Sequence, residues 1–160
     1  MGAAPKTSFQ TQLTTVSTSD LEGVGTLRWE GNKCYKWVQY VEAAAAVDGV
    51  ASEVAYYLAA AGDGALEGYA LHKVTSDLSD SAEVGAGVLQ AIMSDLEYGW
   101  IQIKGAATLS IALTAGADGD PLTPTGSADG TLDVSTAATD VIGAYASDIS
   151  DKTIICDFPF

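Results

Sequence analysis

Chemistry in this chain would have to begin with His72, its single histidine, and with Cys34 and Cys156, its two cysteines. A serine hydrolase needs a nucleophile, a histidine and an acid held together, and no GxSxG elbow is present to present the serine. His72 lies in the strand-like run YALHKV beside Lys73, where a surface histidine is the simpler reading. The cysteines stand far apart, outside any CxxC pair, so two thiols and one imidazole make a poor structural zinc site. They read as small, reduced, buried hydrophobes, with pairing to each other left open. Asp118, Asp120 and Asp129 offer carboxylates to calcium, yet their spacing lacks the EF-hand order and its closing glutamate. Turn-forming aspartates account for them without a metal. Neither GxxxxGK[ST] nor GxGxxG occurs, so no phosphate cradle is indicated. The expectation is a protein without catalytic residues, cofactor or metal.

The elements that would position any site are short strands. Val24–Glu30 (VGTLRWE) and Lys33–Glu42 (KCYKWVQYVE) flank Gly31-Asn32, a two-residue loop that supplies the positive φ of a primed hairpin turn. In the second strand Tyr35, Trp37, Gln39 and Val41 share one face and Cys34, Lys36, Val38 and Tyr40 the other. Neither face is polar, so both are expected to be covered, and Trp29 and Trp37 are read as core. Residues 43–61 fit either a strand through Val54–Leu58 or a short helix aligning Val50, Val54 and Leu58; Tyr56-Tyr57 favour the strand. Asp48-Gly49 and Asp63-Gly64 read as bounding turns. Tyr69–Val74, Gly99–Lys104, Thr108–Leu113, Leu132–Val134, Val141–Tyr145 and Lys152–Phe158 complete a series of strands separated by Asp-Gly turns. Leu109, Ile111 and Leu113 alternate onto one face. Val84–Met93 has room for a helical turn, against which Gly85 and Gly87 argue. Ile154, Ile155 and Phe158 read as a buried closing strand. Pro121 and Pro124 stiffen the segment after Asp120, and LTPTG reads as an edge or exposed loop because proline cannot donate to a ladder.

Many short strands without βαβ spacing predict an all-β fold, a small barrel or sandwich of short antiparallel strands. Residues 1–20, rich in Thr, Ser and Gln, form an extended N-terminal arm, and residues 21–160 a single β-rich domain. The charge is lopsided: seven Lys+Arg against 21 Asp+Glu give a formal net of −14. No basic residue falls between Gly105 and Asp151, which contains Asp118, Asp120, Asp129, Asp133, Asp140, Asp148 and Asp151. Such a field repels nucleic acid and anionic membrane surfaces and suits solubility or a basic protein partner. The opening MGAAPKTSFQTQ lacks the apolar run of a signal peptide, and no run approaches membrane-spanning length, so cytoplasmic synthesis is expected.

The stretch from Glu97, EYGWIQIKGAATLSIALTAGADGDPLTPTGSADGTLDV, followed by VIGAYASD and KTIICDFPF, resembles the capsid decoration (head cement) proteins of tailed bacteriophages. VGTLRWEGNKCYKWVQYVE is similar to their opening hairpin, so the likeness spans roughly residues 23–160. The resemblance implies a structural virion protein on the capsid exterior, made in the host bacterial cytoplasm. Its implied partners are the major capsid protein and other copies of itself, in a homotrimer; no catalytic residue is carried over. Phe9, Leu13 and Val16, the apolar points of the arm, are the expected capsid or subunit contacts, with Leu122 and Pro124 of the proline loop as the second choice. The competing reading is a head-fibre or tail module that binds a host receptor or glycan, since three tryptophans could supply a sugar platform.

Overall fold

The computed structural model describes residues 8–42, 46–59 and 67–160, so the expected turn at Asp63-Gly64 lies outside the described residues. The opening hairpin forms as its composition requires. β1 (Leu27–Glu30) and β2 (Lys33–Tyr40) pair antiparallel with Glu30 opposite Lys33, leaving Gly31-Asn32 as the loop. Of these two, Gly31 alone has a positive φ, +60°, the pattern of a type II′ turn with glycine first. Both faces of β2 are covered: Cys34, Val38 and Tyr40 join the main core, while Tyr35 and Trp37 join Trp100 in a second cluster.

The chain then supplies β3 (Val54–Leu58), the single-turn helix α1 (Glu67–Leu71), β4 (Lys73–Thr75), β5 (Ser81–Leu89) and β6 (Tyr98–Thr108). Four more strands follow, β7 (Pro121–Thr123), β8 (Asp133–Val134), β9 (Ala144–Asp148) and β10 (Thr153–Asp157). All belong to one sheet in the order β1-β2-β4-β3-β5-β6-β10-β9-β7-β8, and β2 also pairs with β6. That extra pairing closes β2-β4-β3-β5-β6 into a five-membered ring, a small barrel. Within it β2–β4 is parallel and the other pairings antiparallel. The all-β fold expected from the strand spacing, a small barrel or sandwich, is thus one ten-stranded sheet that closes on itself at β2–β6, with β10-β9-β7-β8 extending from β6 as a wing.

β6 belongs to both parts because it is long. Tyr98–Lys104 pair with β2 along one edge, Ile101 and Gln102 pair with β5 along the other, and Lys104–Thr108 continue that second edge with β10. The closing strand plugs the junction. Ile154, Cys156 and Phe158 point inward, and the Phe158 ring lies between two backbone segments where a Cβ on Gly85 or Gly143 would approach within 2.6 or 2.8 Å. Those glycines are there for close approach. Gly85 and Gly87 also oppose a register shift at Ala55/Tyr56, so the stretch that had room for a helical turn is a bulged strand instead.

Four local expectations are corrected. Tyr69–Val74 is not one strand: α1 runs to Leu71, His72 reverses the chain at φ +53°, and only Lys73 begins β4. Thr108–Leu113 keeps its alternating burial, yet forms no ladder past Thr108, because its amides go to different segments: Leu109 N–H donates to the Lys152 and Ser110 N–H to the Ser52 carbonyl, and just beyond it Thr114 N–H donates to the Leu132 carbonyl. Gly49 sits in an isolated antiparallel bridge with Met93 rather than in a turn. Finally, Trp29 is not core; it is 58% exposed on β1, which among the described residues pairs with β2 alone.

Candidate interaction surface

The described part of the N-terminal segment packs on its own domain. The Phe9 ring meets Trp100 edge-on at 5.6 Å, Trp100 meets Trp37 at 5.2 Å, and the Arg28 guanidinium stands 5.0 Å from the Phe9 centroid. Thr11 ties this together: its hydroxyl accepts from Trp100 Nε1 at 2.9 Å and donates to Glu22, and its carbonyl accepts from Arg28. Ser17 and Tyr98 exchange backbone hydrogen bonds, and Asp20 accepts from Trp37 Nε1. Phe9 and Leu13 are therefore half-buried over Tyr35, Trp37 and Trp100, and Val16 packs on the main core. Of these three arm residues, expected to reach a capsid or a neighbouring subunit, Phe9 and Leu13 lie over the tryptophans of the same chain and Val16 on its main core.

The second pair of expected contacts is buried more completely. Leu122 is fully buried in β7, and Pro124 directly after it is buried as well. β7 lies between β9 and β8 rather than at an edge, with Pro121 opposite Tyr145 and Leu122 opposite both Ala144 and Val134. Pro121 avoids the ladder penalty by standing first in its strand. Only Thr125 and Gly126 of this loop are exposed, so Leu122 and Pro124 do not form a contact surface.

A surface that the sequence reading missed lies on the outer face of the wing. Ala106, Ile155, Tyr145 and Pro121 are successive partners across β6, β10, β9 and β7, so they form one row on one face. Ile155 is 43% and Tyr145 44% exposed. Thr108, Thr153 and Ser147 continue the same face beside them. None of these seven side chains is charged, although the chain carries a net −14. The signal was present in TIICD: strand periodicity sends Ile154 and Ile155 to opposite faces, so one of them had to point out.

Charge surrounds this face. Asp157 pairs with Lys104 at 2.5 Å on one side. On the other, Asp148 lies beside Thr153, and Asp118, Asp120, Asp151 and Lys152 gather around the β9–β10 turn. The aspartates mostly hold turns. Asp118 accepts from Ile149 N–H, Asp120 from Ala117 N–H, and Asp129 from Leu78 N–H. Asp140 accepts from Thr136 and Ala137 N–H and from the Ser135 hydroxyl. The backbone donors hold its carboxyl below the usual range, with the Ser135 hydroxyl assisting. Asp118, Asp120 and Asp129 thus serve separate loops, and among the described residues no three His, Cys, Asp or Glu side chains group as metal ligands would.

Lys36, Cys34 and Cys156 are buried and His72 is half-buried. Lys36 is 1% exposed; its Nζ donates to the Tyr57 hydroxyl at 2.9 Å and lies 5.2 and 5.3 Å from the Tyr57 and Tyr69 ring centroids. Burial pulls its pKa down to about 8. His72 is lowered too, by burial and then by Lys36, and its Nδ1 is buried without a hydrogen-bond partner among the described residues. No room is left for a residue larger than glycine at Gly25, whose Cβ would stand 2.5 Å from His72 Nε2. Both cysteines are free and buried, and burial pushes the Cys156 thiol up to about 12. A thiol so disfavoured as thiolate is a poor nucleophile.

Comparison with family models, with curated proteins and with solved structures returns no match to this chain.

Proposed function

We propose that this chain is a structural virion protein that decorates the outside of a tailed-phage capsid and stabilises it through many repeated protein–protein contacts. The observation that carries the reading is the resemblance of residues 23–160 to capsid decoration proteins. Its motif segments, EYGWIQIKGAATL, VIGAYASD and KTIICDFPF, correspond to β6, β9 and β10, which pair with one another as one wing. An uncharged patch on the outer face of that wing, on an otherwise acidic molecule, suits a protein that adheres to another protein. The partners in this reading are the major capsid protein and further copies of the chain in a homotrimer. Adhesion in many symmetric copies needs only modest strength per contact. No reaction is part of this role, and the −14 charge disfavours direct contact with the packaged nucleic acid or a membrane.

Cryo-electron microscopy of the virion encoded with this chain tests the reading. The expected result is density for the ten-stranded fold on the capsid exterior in symmetric, high copy number. Density confined to the tail or to a few fibres would reject decoration. The head-fibre or tail reading draws on one observation, the exposure of Trp29, since an accessible indole is the usual stacking surface for a sugar ring. Saccharide-dependent quenching of fluorescence that disappears in Trp29→Ala would favour that reading.

A further inference from the structure

We infer that the outer face of β6-β10-β9-β7, centred on Ile155 and Tyr145, is the docking surface, and that its occupant is a protein surface apolar at its centre and bordered by Lys or Arg. This inference rests on the decoration reading and names the contact within it.

The apolar centre follows from the register, which aligns Ala106, Ile155, Tyr145 and Pro121 side by side across four strands. Charge depletion at the centre with an aromatic anchor is the composition that distinguishes interface cores from ordinary surface. Tyr145 suits the anchor role, because it presents a large ring with few rotors to freeze.

Charge at the rim decides between occupants. Asp148 and Asp157 border the face, with Asp118 and Asp151 at the β9–β10 turn beside it, against Lys104 and Lys152. Lys104 is already paired with Asp157, and Lys152 donates to the Ser110 carbonyl. A second copy of this chain would bring a border of the same net negative sign against the first. A partner with basic residues at its border would instead complement it, and would be steered to it by the −14 field. The wing can be engaged without disturbing the core, because the neighbours of Ile155 and Tyr145 in sequence, Ile154 and Ala146, point inward and hold the strands.

The test compares the wild-type chain with Ile155→Asp and with Tyr145→Asp, each checked for an unchanged melting curve, in co-sedimentation with heads of the encoding phage assembled without this protein. Tyr145→Ser serves as a milder second variant should either aspartate variant unfold. The expected result is saturable wild-type binding that weakens as salt rises, with at least a tenfold loss of affinity in the variants. Wild-type binding that the variants retain would overturn the docking face while leaving decoration standing. Failure of the wild-type chain to bind at all would overturn both. Binding lost in the variants but insensitive to salt would overturn the basic border. Sedimentation velocity completes the test: a wild-type dimer that Ile155→Asp dissociates would make this face a self-contact and overturn the proposed occupant.

Discussion

Replacing Lys36 by methionine, together with Tyr57 by phenylalanine, probes the cost of the buried ammonium in the barrel. The amine is 1% exposed, donates to one neutral hydroxyl, and forms no ion pair among the described residues. Its pKa falls from an ordinary 10.5 to about 8 in the folded protein. The sign follows from proton counting. Below pH 10.5 the unfolded chain takes up a proton that the folded chain declines until about pH 8, so folding loses stability as pH falls through that window. The full penalty, about 3 kcal/mol, is in force at neutral pH. Changing both residues removes the ammonium and also the hydroxyl that would be left without a partner, and methionine occupies a similar volume. Urea denaturation should find the double variant more stable than wild type by up to about 3 kcal/mol at pH 7, shrinking to about half that at pH 9.5. A double variant less stable than wild type at neutral pH, or a difference independent of pH, would refute the reasoning.

Adjacent isoleucines should behave oppositely: Ile154→Ala leaves a cavity in the core and should cost about 2–5 kcal/mol, whereas Ile155→Ala should stay within about 0.5 kcal/mol, both by denaturant midpoint. Gly143→Ala drives a Cβ against the Phe158 ring and should lower the melting temperature, while Ser147→Ala, at an exposed position on β9, should matter far less. Deleting residues 1–20 should red-shift tryptophan emission and destabilise the domain by about 2 kcal/mol or more, since it uncovers Trp37 and Trp100 and removes the partner of the Trp100 indole. On acidification, Asp140 contributes stability above its unfolded pKa that disappears as pH falls through its depressed folded value. Asp140→Asn should therefore flatten the acid limb of a stability–pH curve.

The fold was legible where pattern and turn chemistry agreed. Gly31-Asn32 between two aromatic, β-branched runs specified a hairpin, and the two apolar faces of KCYKWVQY anticipated a strand covered on both sides. Tyr56-Tyr57 correctly favoured a strand. Reading failed where tertiary partners override local preference. His72 takes a left-handed conformation with no glycine to announce it, so YALHKV splits into helix and strand. Thr108–Leu113 alternates like a strand, but its Leu109 and Ser110 amides go to two separate segments. The surface was less legible than the core. Trp29 misleads because tryptophan usually points inward, and nothing local says that β1 has one partner. Leu122 and Pro124 mislead because proline avoids ladders, a rule that allows the first position of a strand, where Pro121 stands. Phe9 and Leu13 look free in the sequence because the tryptophans they cover lie far along the chain.

The seam between β2 and β6 carries a kinetic consequence. It joins Gln39 to Tyr98 and Cys34 to Lys104, so the barrel cannot close until most of the intervening chain has been made and folded back. Loop-closure entropy is spent before that pairing returns any energy, and β2–β4, the parallel pair inside the ring, is non-local too, over a shorter span. Folding should accordingly fall in the slow millisecond-to-second range of β-rich domains, and stopped-flow refolding would measure it. Until closure, β2 and β6 both show unsatisfied edges and apolar faces, the condition under which chains pair with each other instead of with themselves. A chain produced in large numbers would meet its own copies often during that interval. The net negative charge then acts on the nascent molecules: mutual repulsion keeps open barrels apart long enough for the seam to zip.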